Sequence, residues 1–472
     1  MKLIQPFIHL IETPYGKYIY DVNRDEVNHI SDRIFEAIKK LHLNNTEIVD
    51  DNIMLEISKM KEKGLLSDNK PQNIKNQEWD FMDYHLNHKL RSITLQVTQN
   101  CNFRCEYCVY GQNSPLNRSH SSNRMTFDIA KQSVNFLLNR SRDSEWVSIG
   151  FYGGEPLLEF ELIKQIVEYA ERVFVGKYIK FTMTTNCSLI NDEIVDFIYL
   201  HSFNILISLD GPKYLHDSKR VFAVNGCGTF DVIMEKLRLI KQRYPDYYKK
   251  NIIFNTVVDP SKEFDCINQM YISNELLKET QTSTYNLVDD LYSVKKNKYS
   301  DEFRQQRSYE EFKIFLCEMG RIKKENISSI SRQRIAQEKE LKKTLGTGKI
   351  TDEMSHGGPC IIGRKTFVDV KGDLFPCEKV SELSEAMQIG NLQLGFYMEK
   401  VNKLMNVAKL TEDQCKECWA IIRCHMCAKF ADNGATLSAE RILQGCAAVK
   451  SDIDYKLRRY IAIKEINAGG II

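Results

Sequence analysis

Residues 101–108 form the most specific pattern in the chain and read Cys101-Asn102-Phe103-Arg104-Cys105-Glu106-Tyr107-Cys108. An apolar run at 93–97 precedes them and predicts a strand, so three thiols follow that strand within one short loop. A cubane [4Fe–4S] cluster needs four ligands, and three thiolates leave one iron open to a small molecule. A zinc loop and a chance group of cysteines are the alternatives, but zinc sites usually combine C-x2-C pairs with a fourth protein ligand. The spacing C-x3-C-x2-C therefore favours an iron–sulfur cluster.

Length and composition indicate a soluble protein of two or three domains. The chain has 472 residues, of which 43% are hydrophobic and 27% charged, and its net charge is +2. No run approaches the roughly 20 apolar residues of a membrane span, and the first residues lack the apolar core of a signal peptide. We therefore expect a cytoplasmic protein without a membrane partner. In a reducing compartment the 14 cysteines indicate metal binding rather than disulfides, and ten of them fall in two groups.

Residues 1–88 form the first predicted domain, a hairpin followed by helices. Strand-like stretches at 7–11 and 17–22 flank a turn-rich link, apolar residues then recur at helical spacing, and a second helix is predicted from about 52 to 63. This order is winged-helix-like, so DNA binding is an alternative. However, the segment holds 11 Lys and Arg against 15 Asp and Glu, and a phosphate-binding surface normally shows the reverse balance. We expect no nucleic-acid partner and interpret this domain as a peptide-recognition module.

Residues 89–315 alternate strand and helix patterns. Six strands are predicted, at 93–99, 147–152, 180–185, 205–209, 252–258 and 284–288. Helical patterns at 130–138 and 162–173 stand between them. This alternation predicts a fold of the α/β class, an open, partial (β/α)6 barrel with a parallel sheet and helical crossovers. Functional side chains should then gather where the strands end.

Polar groups follow several of the predicted strands. They occur in the stretches Gly153-Gly154-Glu155-Pro156, Thr184-Thr185-Asn186 and Ser208-Leu209-Asp210, with His216 and Arg220 beyond the last. The two glycines carry no Cβ, so the backbone can approach a ligand closely, and Glu155 can receive an ammonium group. Arg220 can bind a carboxylate with its guanidinium fork, whereas His216 fits a structural role as well as a catalytic one. In isolation, Gly-Gly-Glu-Pro is also an ordinary turn.

Together, the cysteine loop and the Gly-Gly-Glu-Pro element resemble the radical S-adenosylmethionine (SAM) superfamily, in which Tyr107 fits the aromatic residue before the last cysteine. The resemblance implies that Cys101, Cys105 and Cys108 hold a [4Fe–4S] cluster whose open iron is chelated by SAM. In that family SAM is cleaved to methionine and a 5′-deoxyadenosyl radical, after a flavodoxin- or ferredoxin-type donor supplies an electron. The implied SAM contacts are Tyr107, Gly153, Gly154, Glu155, Asn186, Ser208, Asp210 and Arg220.

The chain beyond residue 315 divides into a bridging segment at 316–350 and a cysteine-rich domain at 351–472. Within the first, 321–344 carry 8 Lys and Arg against 3 Asp and Glu, which predicts a solvated helix. The second contains Cys360, Cys377, Cys415, Cys418, Cys424, Cys427 and Cys446. Their spacing resembles the SPASM extension of radical SAM enzymes, which carries auxiliary iron–sulfur clusters, with one residue fewer between the fifth and sixth cysteines. A zinc ribbon is the alternative.

The SPASM resemblance implies two auxiliary clusters, and thus three [4Fe–4S] clusters in all. Cys415, Cys418, Cys424 and Cys446 would fully ligate one of them, and Cys360, Cys377 and Cys427 would hold the other. Anaerobic sulfatase maturases supply an eighth cysteine shortly after the first, but none stands between Cys360 and Cys377 here. That iron would then be open to a substrate thiolate, which is a soft ligand. A non-cysteine side chain or water is the alternative occupant, and Glu378 is a candidate proton acceptor beside it.

The remaining cysteines have no metal-binding pattern and are predicted to be plain buried thiols. They are Cys187, Cys227, Cys266 and Cys317.

We interpret the whole chain as a radical SAM maturase that forms Cys thioether cross-links in a ribosomally made precursor peptide, whose leader the 1–88 module holds. Oxidation of Cys or Ser to formylglycine and carbon–carbon cross-linking are alternatives. An iron–sulfur regulator with a winged helix is a third, which the acidic N-terminal module and Gly-Gly-Glu-Pro disfavour.

Overall fold

The computed structural model describes residues 5–42, 50–280, 283–356 and 361–467. The N-terminal region begins with three strands, β1 (Ile8–Glu12), β2 (Lys17–Asp21) and β3 (Glu26–Ile30), in an antiparallel meander. The predicted hairpin is confirmed, since β1 and β2 pair from Ile8↔Asp21 to Glu12↔Lys17. The third strand was not predicted. Its two apolar residues, Val27 and Ile30, are three positions apart, which is not the period-two alternation that indicates a strand.

Two helices, α1 (Asp32–His42) and α2 (Asp51–Glu62), cover one face of this sheet. The carboxylate of Asp50 caps α2 by accepting from the Asn52 N–H at 3.0 Å, which fixes the start of the second predicted helix. The element order is therefore three strands followed by two helices, and the winged-helix interpretation stays a prediction. The other face of the sheet packs on the C-terminal part of the chain, where Tyr20 and Ile11 contact a core that includes Leu457.

A connecting segment with β4 (Asn73–Ile74) and α3 (Met82–His88) leads into the central domain. Its strands and helices are β5 (Ser92–Thr98), β6 (Phe103–Cys105), α4 (Phe127–Arg140), β7 (Trp146–Gly153), α5 (Phe160–Val173), β8 (Tyr178–Thr185), α6 (Asp192–Leu200), β9 (Asn204–Ser208), α7 (Lys213–Asp217), β10 (Arg220–Phe222), α8 (Phe230–Arg243), α9 (Pro245–Asn251), β11 (Ile252–Val258), α10 (Asp265–Ser273) and β12 (Ser283–Leu287). All six predicted strands are present, displaced by at most two residues at either end.

The remaining elements are α11 (Asp301–Glu318), α12 (Arg332–Thr344), β13 (Glu353–Met354), β14 (Thr366–Val368), β15 (Asp373–Phe375), β16 (Gly390–Asn391), β17 (Gly395–Phe396), α13 (Met398–Met405), α14 (Glu412–Lys416) and α15 (Ala439–Asn467). The predicted domain boundary at residue 315 lies inside α11. The segment 321–344 is helical from Arg332 onward, but residues 327–331 are buried, so its prediction as a solvated helix holds only in part. None of the described helices is long and apolar enough to cross a membrane.

The central sheet has ten strands in the order β12-β11-β9-β8-β7-β5-β14-β15-β16-β17 and does not close. The first six are parallel and follow the chain order, as the alternating pattern predicted. Strand β14 adds parallel to β5 through the register Thr366↔Ile93 to Val368↔Leu95, so the cysteine-rich region extends the barrel sheet. The core lies between this sheet and its helices, and includes the fully buried Ile149, Ile205 and Leu237.

Candidate functional site

The loop after β5 carries Cys101, Cys105 and Cys108 at the end of the parallel sheet. Its middle forms β6, which pairs with β10 so that Cys105 lies opposite Arg220. Burial raises the pKa of the Cys101 thiol to about 12, with further contributions from the charges of Glu155, Cys105 and Cys108. The three thiols therefore lie within electrostatic range of one another in one loop.

Guanidinium groups surround these thiols. Burial raises the pKa of Cys105 to about 11, and the charge of Arg220 opposes the increase. For Cys108, burial raises the pKa, while Arg118, Arg220 and Arg104 lower it. Three clustered thiols with cations beside them suit the anionic thiolates of a [4Fe–4S] cluster, and they leave one iron for another ligand.

Both glycines of the Gly-Gly-Glu-Pro element make close approaches. A Cβ on Gly153, where φ is +154°, would stand 2.2 Å from the Thr98 carbonyl oxygen, and a Cβ on Gly154 would stand 2.0 Å from that of Asn100. The Gly154 N–H donates to the Thr98 carbonyl at 2.9 Å, and the Glu155 N–H donates to the Asn100 carbonyl at 2.9 Å. The glycines thus let β7 end against the backbone that leads into the cysteine loop. SAM contact at Gly153 and Gly154 stays a prediction.

The carboxylate of Glu155 is buried and links two strand ends. Its Oε1 accepts from Thr185 Oγ1 at 2.6 Å, and its Oε2 accepts from the Asn186 N–H at 2.7 Å. Burial raises the pKa of Glu155 to about 7, although these hydrogen bonds lower it. Asn186 in turn donates from Nδ2 to Asn102 Oδ1 at 2.8 Å, which fixes the cysteine loop to the end of β8.

Tyr107, Asp210 and Arg220 form one buried network next to the thiols. The Tyr107 hydroxyl donates to Asp210 Oδ2, and Arg220 Nη1 donates to the Tyr107 oxygen at 2.7 Å. Asp210 Oδ1 also accepts from the Val257 N–H at 3.1 Å, so the network ties the cysteine loop to β9 and β11. Ser208, half-buried, ends β9 at the same edge. Six of the eight predicted SAM contacts lie at the C-terminal ends of β7, β8 and β9, whereas Tyr107 lies in the loop after β6 and Arg220 begins β10.

His216 has a structural role. It is fully buried, its Nδ1 accepts from the Asp210 N–H at 3.3 Å, and its Nε2 lies 3.0 Å from Thr229 Oγ1. Burial, with the charge of Arg220, lowers its pKa, so the ring is neutral. The sequence left a catalytic role open, and these contacts instead hold the turn after β9.

Cys377 and Cys427 line one small cavity in the cysteine-rich region. Burial raises the pKa of the Cys377 thiol, followed by the charge of Glu378, and the charge of Cys427 also contributes. Cys360 lies outside the described residues. The cavity also contains His356, whose pKa burial lowers, and its walls are otherwise mostly apolar. The ligand role of these cysteines stays a prediction.

Four other cysteines form a second group. Burial raises the pKa of Cys424 to about 11, and the charges of Cys418, Cys415 and Cys446 add to the increase. Across the described ranges, no three His, Cys, Asp or Glu side chains converge closely enough for a single metal ion. In a cubane, by contrast, each thiolate binds a different iron. The donor set of four thiols fits such a cluster.

Glu378, the residue after Cys377, forms an ion pair with Lys365. Lys365 Nζ lies 2.8 Å from its Oε1 and 2.7 Å from its Oε2. The Tyr110 hydroxyl lies 3.5 Å from the Glu378 carbonyl oxygen. Burial raises the pKa of Tyr152, and the charge of Glu378 adds to that increase. Glu378 therefore lies between the barrel interior and the cavity of Cys377, and its role as a proton acceptor stays a prediction.

One buried network beside the thiol loop was not predicted from the sequence. Arg118, in a polar loop, forms a buried ion pair with Glu382, with Nε 2.9 Å from both carboxylate oxygens. Its guanidinium lies 3.6 Å from the centre of the Tyr110 ring, and Gln96 Nε2 donates to Glu382 Oε1 at 2.6 Å. This network joins the barrel interior to the cysteine-rich region beside the thiol loop.

The plain cysteines are only partly as predicted. Cys187 is buried, but Cys227 is exposed at the tip that follows β10, and Cys266 and Cys317 are half-buried. The exposed position follows from the tight hairpin that returns from β10, where Phe222 N–H donates to the Cys227 carbonyl at 2.9 Å.

Comparisons with known proteins agree with this geometry. Residues 95–269 match the sequence family "Radical SAM superfamily". An uncharacterized protein of Methanocaldococcus jannaschii is 33% identical over 30% of this chain and 46% of its own length. A cysteine-type anaerobic sulfatase-maturating enzyme of Clostridium perfringens is 24% identical over 78% of this chain and 96% of its own.

A solved structure, native anSMEcpe with bound AdoMet and Cp18Cys peptide, shares the fold. Its TM-score is 0.58 at 21% identity, and the match covers 79% of this chain and 99% of that one. The matched family region begins in β5, includes the three-cysteine loop and the Gly-Gly-Glu-Pro element, and ends in α10. The chain therefore contains a domain, at residues 95–269, that matches the radical SAM superfamily.

Proposed function

We propose that this radical SAM enzyme modifies a ribosomally made, cysteine-containing precursor peptide and forms Cys thioether cross-links in it. One observation carries the choice of reaction: no cysteine stands between Cys360 and Cys377, and Cys377 shares its cavity with Cys427. A cluster held there has three cysteine ligands from the chain. Its fourth position suits a substrate thiolate, which is a soft ligand for iron.

The residues around the first cluster support SAM binding. SAM bound at that cluster supplies a carbon-centred radical that removes hydrogen from substrate. Cys101, Cys105 and Cys108 would hold the iron, and the network of Tyr107, Asp210 and Arg220 orients the thiol loop against β9. Because these groups are buried and hydrogen-bonded to one another, they hold that loop in place.

The N-terminal module supports a leader-binding role. Strand β3 is an edge of its three-stranded sheet, and an extended peptide can add to such an edge through main-chain hydrogen bonds. The opposite edge, β1, is engaged by α15, since Arg458 Nη1 donates to the Glu12 carbonyl at 2.6 Å. We therefore place the leader peptide on β3.

An electron donor of the flavodoxin or ferredoxin type fits a cationic surface beside the thiol loop. Lys219 and Lys295 both pair with Glu106, the residue after Cys105, and Lys295 Nζ lies 2.6 Å from Glu106 Oε1. The exposed Lys296 and Lys298 follow in the same loop. An acidic donor docked here would stand close to the first cluster, and opposite charges speed such an encounter.

A second candidate reaction is the oxidation of a Cys or Ser to formylglycine. The match to the cysteine-type sulfatase-maturating enzyme over 96% of that protein favours it. The two reactions differ in the fate of sulfur. A thioether retains sulfur and removes two hydrogens per link, whereas formylglycine formation from Cys releases it.

The test is an incubation of reconstituted enzyme, SAM and reductant with a cysteine-rich peptide encoded beside its gene. The proposal predicts peptide-stimulated deoxyadenosine formation and a product lighter by two hydrogens per link. A product that has lost a sulfur would instead indicate formylglycine formed from Cys, and a product lighter by two hydrogens whose thiols can all still be alkylated would indicate formylglycine formed from Ser.

A further inference from the structure

An imidazole from a separate loop contacts a sulfur of the three-cysteine loop. His120 Nε2 lies 3.7 Å from Cys108 Sγ, a distance at which the large sulfur atom can accept a hydrogen bond. His120 is half-buried and lies in the polar segment between the thiol loop and α4. None of the sequence motifs includes this histidine, so the contact arises from tertiary structure.

The residues on both sides of His120 hold it in this place. The guanidinium of Arg118 lies 3.6 Å from the centre of the Tyr110 ring, and the His120 N–H donates to the Tyr110 carbonyl at 3.2 Å. Ser121 Oγ donates to Gln99 Oε1 at 2.8 Å. The segment is thus fixed both to the end of the thiol loop and to the residue after β5, and its imidazole is directed at the sulfur.

We propose that His120 is a positioning residue that donates a hydrogen bond from Nε2 to the Cys108 thiolate of the first cluster and thereby raises the reduction potential of that cluster. An iron-bound thiolate has lone pairs but no proton, so the ring nitrogen facing it carries the hydrogen. This inference rests on the first cluster of the proposed function, and is independent of which reaction the enzyme performs.

The effect on potential follows from charge. Hydrogen bonds to the sulfurs are among the factors that set the potential of an iron–sulfur cluster. Reduction adds negative charge to the cluster and its thiolates, so a donated hydrogen bond stabilises the reduced state more than the oxidised state. His120 therefore makes it easier for the first cluster to accept the electron that SAM cleavage needs.

Other hydrogen bonds to these sulfurs come from the main chain of the same loop. The Phe103 N–H donates to Cys101 Sγ at 3.4 Å, and the Tyr110 main chain makes a hydrogen bond with the Cys108 sulfur. These bonds accompany the turn of the loop whatever its side chains are. The bond from His120 depends on one side chain, so a substitution can remove it without changing the loop.

The first test measures the reduction potential of the first cluster in the complete enzyme. Its electron paramagnetic resonance signal is the one that changes when SAM is added, which separates it from the auxiliary clusters. His120→Leu keeps a side chain of similar size and removes the donor. One-electron reduction should become about tenfold less favourable, which lowers the potential by about 59 mV. An unchanged potential would overturn the proposal.

Two further variants separate the hydrogen bond from a structural effect. His120→Gln retains an N–H donor at a similar reach and should restore most of the potential. Ser119→Ala changes the exposed neighbour in the same segment and should leave the potential unchanged. If His120→Gln lowers the potential as much as His120→Leu does, or if Ser119→Ala lowers it too, the role of the imidazole N–H is wrong.

Pulsed electron paramagnetic resonance detects the hydrogen bond itself. Protein labelled with 15N-histidine and reduced with unlabelled SAM should show a weak 15N coupling to the first cluster, and His120→Leu should remove it. A coupling that is absent from the wild type, or that survives the substitution, would contradict the proposal. A wild-type enzyme without any SAM-responsive cluster would overturn the proposed function as well, whereas a SAM-responsive cluster with equal potentials in wild type and His120→Leu overturns only the role of His120.

Discussion

Asp25, at the end of the turn before β3, forms a buried ion pair with Arg423, the residue directly before Cys424. Arg423 Nε lies 2.8 Å from Asp25 Oδ1, and the Asp25 side chain is fully buried. The Tyr20 hydroxyl donates to the same carboxylate at 2.7 Å. The N-terminal module is thus joined to the loop of the second cysteine group by charge as well as by packing.

We expect removal of the ion pair between Asp25 and Arg423 to lower both the stability and the iron content of the protein. Asp25→Ala should lower the free energy of unfolding by about 3–5 kcal/mol, because it leaves a mostly buried guanidinium without its carboxylate. Chemical denaturation measures the effect, and iron analysis should show loss from the adjacent cluster. Glu26→Ala is the matched control, since its partner Arg24 is exposed and the pair is solvated. Equal stability of the two variants would contradict the account.

Substitution of the three cysteines in the loop should remove the first cluster and leave the auxiliary clusters in place. Changing Cys101, Cys105 and Cys108 to Ala should abolish deoxyadenosine formation and reduce bound iron from about 12 to about 8 atoms per chain. The exposed Cys227, changed to Ala, is the control and should leave both values unchanged. Retained SAM cleavage in the triple variant would reject the site assignment, and about 4 iron atoms in the wild type would remove both auxiliary clusters.

Asp369, in the turn between β14 and β15, predicts a pH effect on stability. It is 6% exposed, and burial raises the pKa of its carboxyl from 3.8 to about 6. The raised pKa means that the folded protein favours the protonated carboxyl. The contribution of Asp369 to the free energy of unfolding is therefore complete below pH 3.8 and is lost as the pH rises through 6. The loss amounts to about 3 kcal/mol.

Asp369→Asn tests that effect. The amide oxygen can still accept from the Lys371 and Asp373 N–H groups, at 2.8 and 2.9 Å, but carries no charge. Denaturation of both proteins at several pH values should therefore show that the free energy of unfolding of the variant increases relative to that of the wild type between about pH 4 and pH 6. A constant difference in unfolding free energy across that range would show that the carboxyl does not titrate as described.

Removal of positive charge from the surface beside the thiol loop should slow electron transfer from a protein donor but not from a chemical reductant. Changing both Lys296 and Lys298 to Glu should slow flavodoxin-driven deoxyadenosine formation by about tenfold at low salt, through like-charge repulsion. Dithionite-driven cleavage should be unchanged, because neither lysine contacts Glu106 or the thiol loop. Lys339→Glu on α12 provides the control for a surface charge change. If the dithionite rate falls equally, the substitutions have damaged the cluster site rather than donor docking.

Local sequence patterns predicted the barrel well and the tertiary contacts poorly. Strands such as β7 and β11 are apolar runs, so their positions follow from the sequence with an error of a few residues. Gly153 and Gly154 were predicted to let the backbone approach a ligand; in the described structure they approach the carbonyls of Thr98 and Asn100, and contact with SAM stays a prediction. The Arg118–Glu382 and Asp25–Arg423 pairs join residues hundreds of positions apart, and no local pattern encodes such pairings.

The central claim is that substrate cysteine is converted to a thioether. The most direct measurement is the mass of the peptide product before and after exhaustive thiol alkylation. A thioether product should show a loss of two hydrogens for each link, retention of every sulfur, and one alkylation site fewer per link. A product that loses its sulfur, or one that keeps all its alkylatable thiols after turnover, would contradict this claim.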